Sequence, residues 1–334
     1  MLAFLKITFF AARNVLPGSA YPSLKRLFGT IFILCLIFLN LSISLAQTGP
    51  SDIPAEFGEV IYRCNQESPN QLFIIGMAHR DSLTGLNGPN IARIQAEVYK
   101  LGEWLIQNER CGLLLPEGFF AGPAARAAIQ QKRAADEKLS CPESIDIKSL
   151  EEKLSDPRSF VNAELLLKRN YPFKLRQVED SKIHRAAGDL IRKLVSCGND
   201  NSEYLRVKSD LDSLQEIRTA FMLQRIPGII QDEFRGGNIK TPKAILTLGL
   251  SHLPRIIRNL EENGIRIYSP GLAVDKKEIY IAGLNLQKEN FGVSILIPHT
   301  LAGDRKTLKG TGMDEIFARQ RRLSSLESSP HPAN

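Results

Sequence analysis

Several signatures of well-characterised chemistry are missing from this chain. It has no Gly-x-x-x-x-Gly-Lys-Ser/Thr phosphate loop, no Gly-x-Gly-x-x-Gly after a strand, no His-Glu-x-x-His and no Gly-x-Ser-x-Gly elbow. Nucleotide-dependent enzymes and serine hydrolases are therefore disfavoured. No Cys-x-x-Cys or Cys/His spacing supports a structural zinc site. The single tryptophan, Trp104, shares a helical pattern with Leu101 and Leu105, which reads as core or interface rather than a ligand platform. No repeat of solenoid length occurs, and glycine and proline are spread rather than clustered.

A basic stripe is missing too, although the formal charge is +7. Residues 1–46 hold Lys6, Arg13, Lys25 and Arg26 and no acid; taking those four from the 43 basic residues leaves 39 against 36 acidic ones. Most of the excess thus sits in the leader, and no nucleic-acid partner is expected. What the chain does have is 43% hydrophobic and 24% charged residues, a balance that supports one ordinary globular core.

The leader reads as a targeting segment over 1–46. Lys25 and Arg26 precede an apolar run from Leu27 to Leu39, and small residues Ser44 and Ala46 stand where a signal peptidase would cut. Export follows from this reading, to a periplasmic or extracellular space. A signal anchor spanning Leu27 to Ala46 is the alternative, giving membrane attachment through the N-terminal segment. Cleavage would leave Cys64, Cys111, Cys141 and Cys197, which admit either two disulfides or buried free thiols.

From Gln71 onward short apolar runs alternate with helical patterns, which predicts an α/β fold: a central mixed or mostly parallel sheet flanked by helices. Strands are expected at Leu72–Ile75, Cys111–Leu115, Phe173–Val178, Ala244–Leu248 and Ile265–Tyr268, with edge strands at Ile279–Ala282 and Val293–Ile297. Helices are expected at Ile91–Glu109, Ala121–Leu139, Ser181–Val195, Ser202–Ile226 and Leu253–Asn263, the last closed by Gly264 in the left-handed conformation. Ile145–Arg169 carries helical periodicity broken at Asp156-Pro157. A single domain over 52–305 results, with a helical insertion at about 121–170 and a polar tail at 306–334 that lacks the apolar surface to order itself.

Two places repeat one device, a strand followed by Gly-x-x-His and then a helix: Gly76-Met-Ala-His79 and Gly249-Leu-Ser-His252. Each puts an imidazole just past the carboxyl end of a buried strand, where open α/β sheets form their ligand crevice. A glycine there permits a positive φ or a close approach. The second strand ends in Pro116-Glu117, so if the strands are neighbours its carboxylate reaches His79. Two imidazoles and a carboxylate are a donor set for Zn, Mn or Co, and a metal so held activates water for hydrolysis. Singly, each of these residues reads first as a solvated loop residue or a helix cap; the coincidence of three at equivalent strand ends is what points to a site.

Glu179 and Asp180 follow the third strand and precede His184 by helical spacing, which offers a second carboxylate pair; the competing reading makes Asp180 or Ser181 an N-cap. Arg218 taken alone reads as a surface residue. His299 lacks a companion motif and His331 lies in the tail.

At these residues the sequence resembles the TraB/TIKI/GumN-like superfamily, itself distantly similar to ChaN-like haem-binding proteins and erythromycin esterases. The similarity runs from about Gln71 to Tyr268. It is carried by both Gly-x-x-His motifs, by Leu248-Gly-Leu-Ser-His-Leu-Pro254 with the helix and glycine turn that follow, and by Glu117. Glu216-Ile-Arg218-Thr-Ala-Phe-Met222 is similar to the family's Arg-Asn-x-x-Met helix. The resemblance implies a metal-dependent, peptidase-like or esterase-like hydrolase acting on a peptide or small molecule. His79, His252 and Glu117 would sit at the metal, with Glu117 also a catalytic acid/base candidate and Arg218 a catalytic electrostatic partner. Met77, Pro116 and Thr219 depart from the family pattern, which bears on the pocket's polarity and the arginine's orientation. The ChaN-like relatives imply haem as the alternative cofactor, and a non-catalytic binding scaffold is the third reading. No pattern specifies an oligomeric state.

Overall fold

Strand Asn70–Met77 (β2) is buried from Gln71 to its end because it runs through the middle of a sheet covered on both faces. The computed structural model describes residues 53–78, 90–120, 145–155, 162–197, 201–262, 264–268, 278–282 and 290–319. Its six-stranded sheet has the order β1-β8-β2-β5-β3-β4. The other members are Gly58–Cys64 (β1), Leu113–Pro116 (β3), Lys174–Leu175 (β4), Lys243–Gly249 (β5) and Phe291–Pro298 (β8). Every pairing is parallel except β1 with β8. The architecture is thus an α/β fold with a mixed, mostly parallel sheet, as the alternation of apolar runs predicts.

Helix Ile91–Gln107 (α1) buries Ile94, Val98, Leu101 and Leu105, the stripe expected from its spacing, and Trp104 is half-buried against the same core. Helices Ile147–Ser155 (α2) and Ala163–Asn170 (α3) send Leu150, Leu154, Leu166 and Leu167 into that core. The 147–155 and 163–170 parts of the expected insertion therefore belong to the packed layer; the helix expected over 121–139 lies outside the described residues.

Helices Ser181–Ser196 (α4) and Asn201–Arg235 (α5) form a hairpin with its own small core of Ile183, Ala187, Leu214, Ile217 and Ala220. Farther along α5, Met222, Leu223, Ile226 and Ile230 join the main core. The helix continues through Pro227, where its sequence pattern predicts an end at Ile226. An internal proline costs about 3 kcal/mol, which burial of Leu223, Ile226 and Ile230 in the main core offsets at about 1.5–3 kcal/mol per side chain. The following helix, Leu253–Glu261 (α6), ends on extended Glu262, not on a left-handed glycine; Gly264 instead opens strand Gly264–Tyr268 (β6).

Four further expectations need correction. β1 was not foreseen, because Glu59, Tyr62 and Arg63 interrupt its apolar residues and the register shifts between Val60 and Tyr62. β8 is fully buried between β1 and β2 and is no edge strand. β6 pairs with Glu278–Ala282 (β7) in a separate two-stranded sheet. Residues 305–319 of the expected tail are folded, and 320–334 lie outside the described residues: after the short helix His299–Gly303 (α7), helix Arg305–Gly310 (α8) and the segment to 319 bury Leu308, Met313 and Phe317. These three apolar residues dock the segment although a turn at Thr311–Gly312 separates Leu308 from the other two. Cys64, Cys111 and Cys197 are free thiols. Among the described residues no helix is long and apolar enough to cross a membrane.

Candidate functional site

The parallel register aligns three strand ends. Met77 of β2 lies opposite Gly249 of β5, and Thr247 of β5 lies opposite Pro116 of β3. The residues that leave these strands therefore share one edge of the sheet. β5 stands between β2 and β3, so Glu117 neighbours the second Gly-x-x-His motif, and not the first as a β2–β3 adjacency would require.

Glu117 is held by its main chain and by its side chain. Its N–H donates to the Thr247 carbonyl at 2.9 Å, extending the ladder one residue beyond β3. The chain then turns back, Phe119 N–H donating to the Pro116 carbonyl at 3.3 Å with Gly118 at φ +73°. A turn with positive φ at its third position selects glycine. Glu117 Oε2 accepts from Gly249 N–H at 2.6 Å, which ties the acid to the glycine of the second motif.

His252 ends a 3-10 turn, Leu250–His252, that leads directly into α6, and it is 3% exposed. Gly76 of the first motif meets this turn from the other side: a Cβ on it would lie 2.5 Å from Leu253 Cδ1. Close approach is what this glycine supplies. Neither Gly76 nor Gly249 has a positive φ.

Arg218 is the centre of the cluster, 7% exposed where α5 passes from the hairpin core to the main core. Its Nη2 donates to Glu117 Oε1 at 2.8 Å and to Glu179 Oε1 at 2.5 Å. Its Nη1 lies 3.2 Å from Gln215 Oε1 and 3.4 Å from His252 Nε2. The Nε–H is buried and has no partner among the described residues. Arg225, two turns farther along α5, donates to the carbonyls of Val178 and Glu179 at 3.3 Å each and so pins the segment that carries Glu179.

Thr219, next to Arg218 and fully buried, donates its hydroxyl hydrogen to the Gln215 carbonyl at 2.8 Å. Its oxygen lies 2.9 Å from His252 Nδ1. With that hydrogen already committed, the hydroxyl accepts from Nδ1–H, and the neutral imidazole keeps its lone pair on Nε2. Nε2 in turn faces Glu117 Oε1 at 3.3 Å.

The segment after β4 splits its two acids between two tasks. Asp180 caps α4, accepting from Lys182 and Ile183 N–H at 2.8 and 3.1 Å, and these bonds hold its carboxyl below the usual carboxylate range. Glu179, 1% exposed, joins the cluster and bonds His184 Nδ1 through Oε2 at 2.8 Å.

Of the residues singled out from the sequence, Glu117, Arg218 and His252 meet, and Glu179 and His184 meet them. His79 lies outside the described residues. Thr219, noted from the sequence only as a departure from the family pattern beside Arg218, and Gln215, marked only by its spacing of three residues from Arg218, are site residues that the sequence reading does not assign. Among the described residues no group of three or more His, Cys, Asp or Glu side chains is arranged to hold a metal ion. Two donors do fit: His252 Nε2 and Glu117 Oε1, 3.3 Å apart, have the separation of two ligands about 2 Å from one ion. The protein is thus an α/β protein with a buried, guanidinium-centred ionic cluster at the carboxyl edge of its parallel strands. Compared with family models, with curated proteins and with solved structures, the chain matches none.

Proposed function

We propose that this chain is an exported hydrolase of the TraB/TIKI/GumN-like type, acting on a peptide or small-molecule acyl bond with a divalent metal (Zn, Mn or Co) held by His79, His252 and Glu117. The observation that carries the reading is the convergence of His252 Nε2 and Glu117 Oε1 at 3.3 Å beside Arg218, at the sheet edge where β2 also delivers the first Gly-x-x-His motif. Among the described residues, two carboxylates, one guanidinium and two imidazoles meet there, a set that combines metal donors with an electrostatic partner.

Each residue's contribution follows from its surroundings. A metal in this position would lower the pKa of a bound water and polarise the scissile carbonyl. Thr219 holds His252 in the tautomer that offers Nε2. Gly249 N–H and Arg218 orient the Glu117 carboxylate, which is then positioned to hold the metal and to accept a hydrogen bond from an attacking water. The Nε–H of Arg218, which has no partner among the described residues, is a donor for a substrate carboxylate or a developing oxyanion. The polar, charged character of the groups meeting here supports hydrolysis over the haem reading, since haem asks for an apolar slot with an axial ligand.

Metal analysis of protein purified from its export compartment tests the reading. About one divalent ion per chain is expected in the wild type, with loss in His252→Ala, Glu117→Ala and His79→Ala. Equal metal content in all four proteins would overturn it.

A further inference from the structure

We propose that His184, held by Glu179, is the group that moves protons at this site; the proposal rests on the hydrolase reading and adds a second acid/base residue to it. Glu179 is buried, and its two oxygens are divided, Oε1 to Arg218 Nη2 at 2.5 Å and Oε2 to His184 Nδ1 at 2.8 Å. A carboxylate bonded to an arginine is an acceptor, so Nδ1 carries the hydrogen and neutral His184 keeps its lone pair on Nε2. The ring packs edge-to-face on Phe120 with centroids 4.9 Å apart, and its side chain is 39% exposed. The imidazole is thereby fixed on one side by a buried acid and open to solvent at the rim of the cluster, the relation of base to orienting acid found in catalytic dyads.

Arg218 links this pair to Glu117 and His252 through a single guanidinium, with Nη2 lying 3.3 Å from His184 Nδ1. A structural ion pair needs no imidazole that is exposed on one side. In the proposed step Nε2 takes a proton from water as its oxygen bonds the acyl carbon. The same proton then passes to the leaving nitrogen or oxygen as the acyl bond breaks, so no other reactant is consumed.

The Glu179→Gln variant gives this idea a sharp signature. Arg218 requires an oxygen acceptor, so the introduced amide must present its NH2 to Nδ1, which inverts the His184 tautomer to Nε2–H. Ring-15N histidine spectra of the full chain above pH 8 should therefore show Nδ1–H for His184 in the wild type and Nε2–H in Glu179→Gln. N-acetyl-alanine p-nitroanilide and the matching p-nitrophenyl ester serve as probes. His184→Gln should lower kcat on the anilide by about 100-fold or more and on the ester by less, because nitrophenolate departs without protonation. Metal content should be unchanged. An Nε2–H wild-type tautomer, or anilide and ester rates unaltered by His184→Gln, would overturn the role and leave the hydrolase reading standing. A metal-free wild type inert on both probes overturns the two together.

Discussion

Thr219 Oγ1 and His252 Nδ1 lie 2.9 Å apart on two elements 33 positions apart in the chain, and this contact decides which nitrogen of the histidine faces the cluster. Thr219→Val keeps the shape of the side chain and removes the acceptor. The buried Nδ1–H is then unpaired, which costs about 1–3 kcal/mol, to be read from urea unfolding. Metal affinity measured by chelator competition should also fall about 10–100-fold. A fall in stability without a change in affinity would show that the threonine serves only the fold.

Removing Arg218 should be more damaging than removing any neighbour. Arg218→Met leaves the Glu117 and Glu179 carboxylates facing each other with their shared cation gone. Breaking a buried ion pair in this way costs about 3–5 kcal/mol. The combined variant Arg218→Met with Glu179→Gln should recover part of the loss, and equilibrium denaturation of the single and double variants measures the coupling.

Gly76→Ala tests the junction between the two Gly-x-x-His motifs. The new methyl would lie 2.5 Å from Leu253 Cδ1, and Leu253 is fully buried, so its side chain must shift within the packed core. Overpacking of this kind costs about 1–3 kcal/mol. Adding Leu253→Ala opens the space again, so the two losses should sum to more than the double variant shows in thermal melts.

The pH dependence of stability has a definite sign at Asp180 and Asp304, the N-caps of α4 and α8. Backbone N–H bonds at Asp180, and the Thr307 hydroxyl and N–H at Asp304, hold both carboxyls below their ordinary values. A depressed folded-state pKa means that the contribution is complete above the unfolded value of about 3.9 and is lost as pH falls through the folded one. Asp180→Ala should therefore cost about 1 kcal/mol at pH 7 and less at pH 2. An equal cost at both pH values in urea melts would contradict the capping role.

Much of the frame is written locally. Leu72–Ile75, Leu113–Leu115 and Ala244–Leu248 are apolar runs between turn residues, and each is a buried strand. Asp180 announces α4 because a short acid before a helical stripe satisfies exposed N–H groups wherever the rest of the chain lies. Glu117 and His252 were legible as candidates because both follow such runs. Arg218 entered only through a resemblance, since a lone arginine on a long helix has no local mark of burial.

Only the tertiary structure decided which of these residues meet. Strand order is a long-range choice: insertion of β5 between β2 and β3 places Glu117 against Gly249 and His252. The same holds for α5, which runs through Pro227 because the apolar residues around that proline join the main core. Glu179 joins Arg218 although 39 positions separate them, and its neighbour Asp180 does not. Local sequence sets what each segment prefers to be. Burial and charge pairing between distant segments, summed over the whole core, select which preferences become a site.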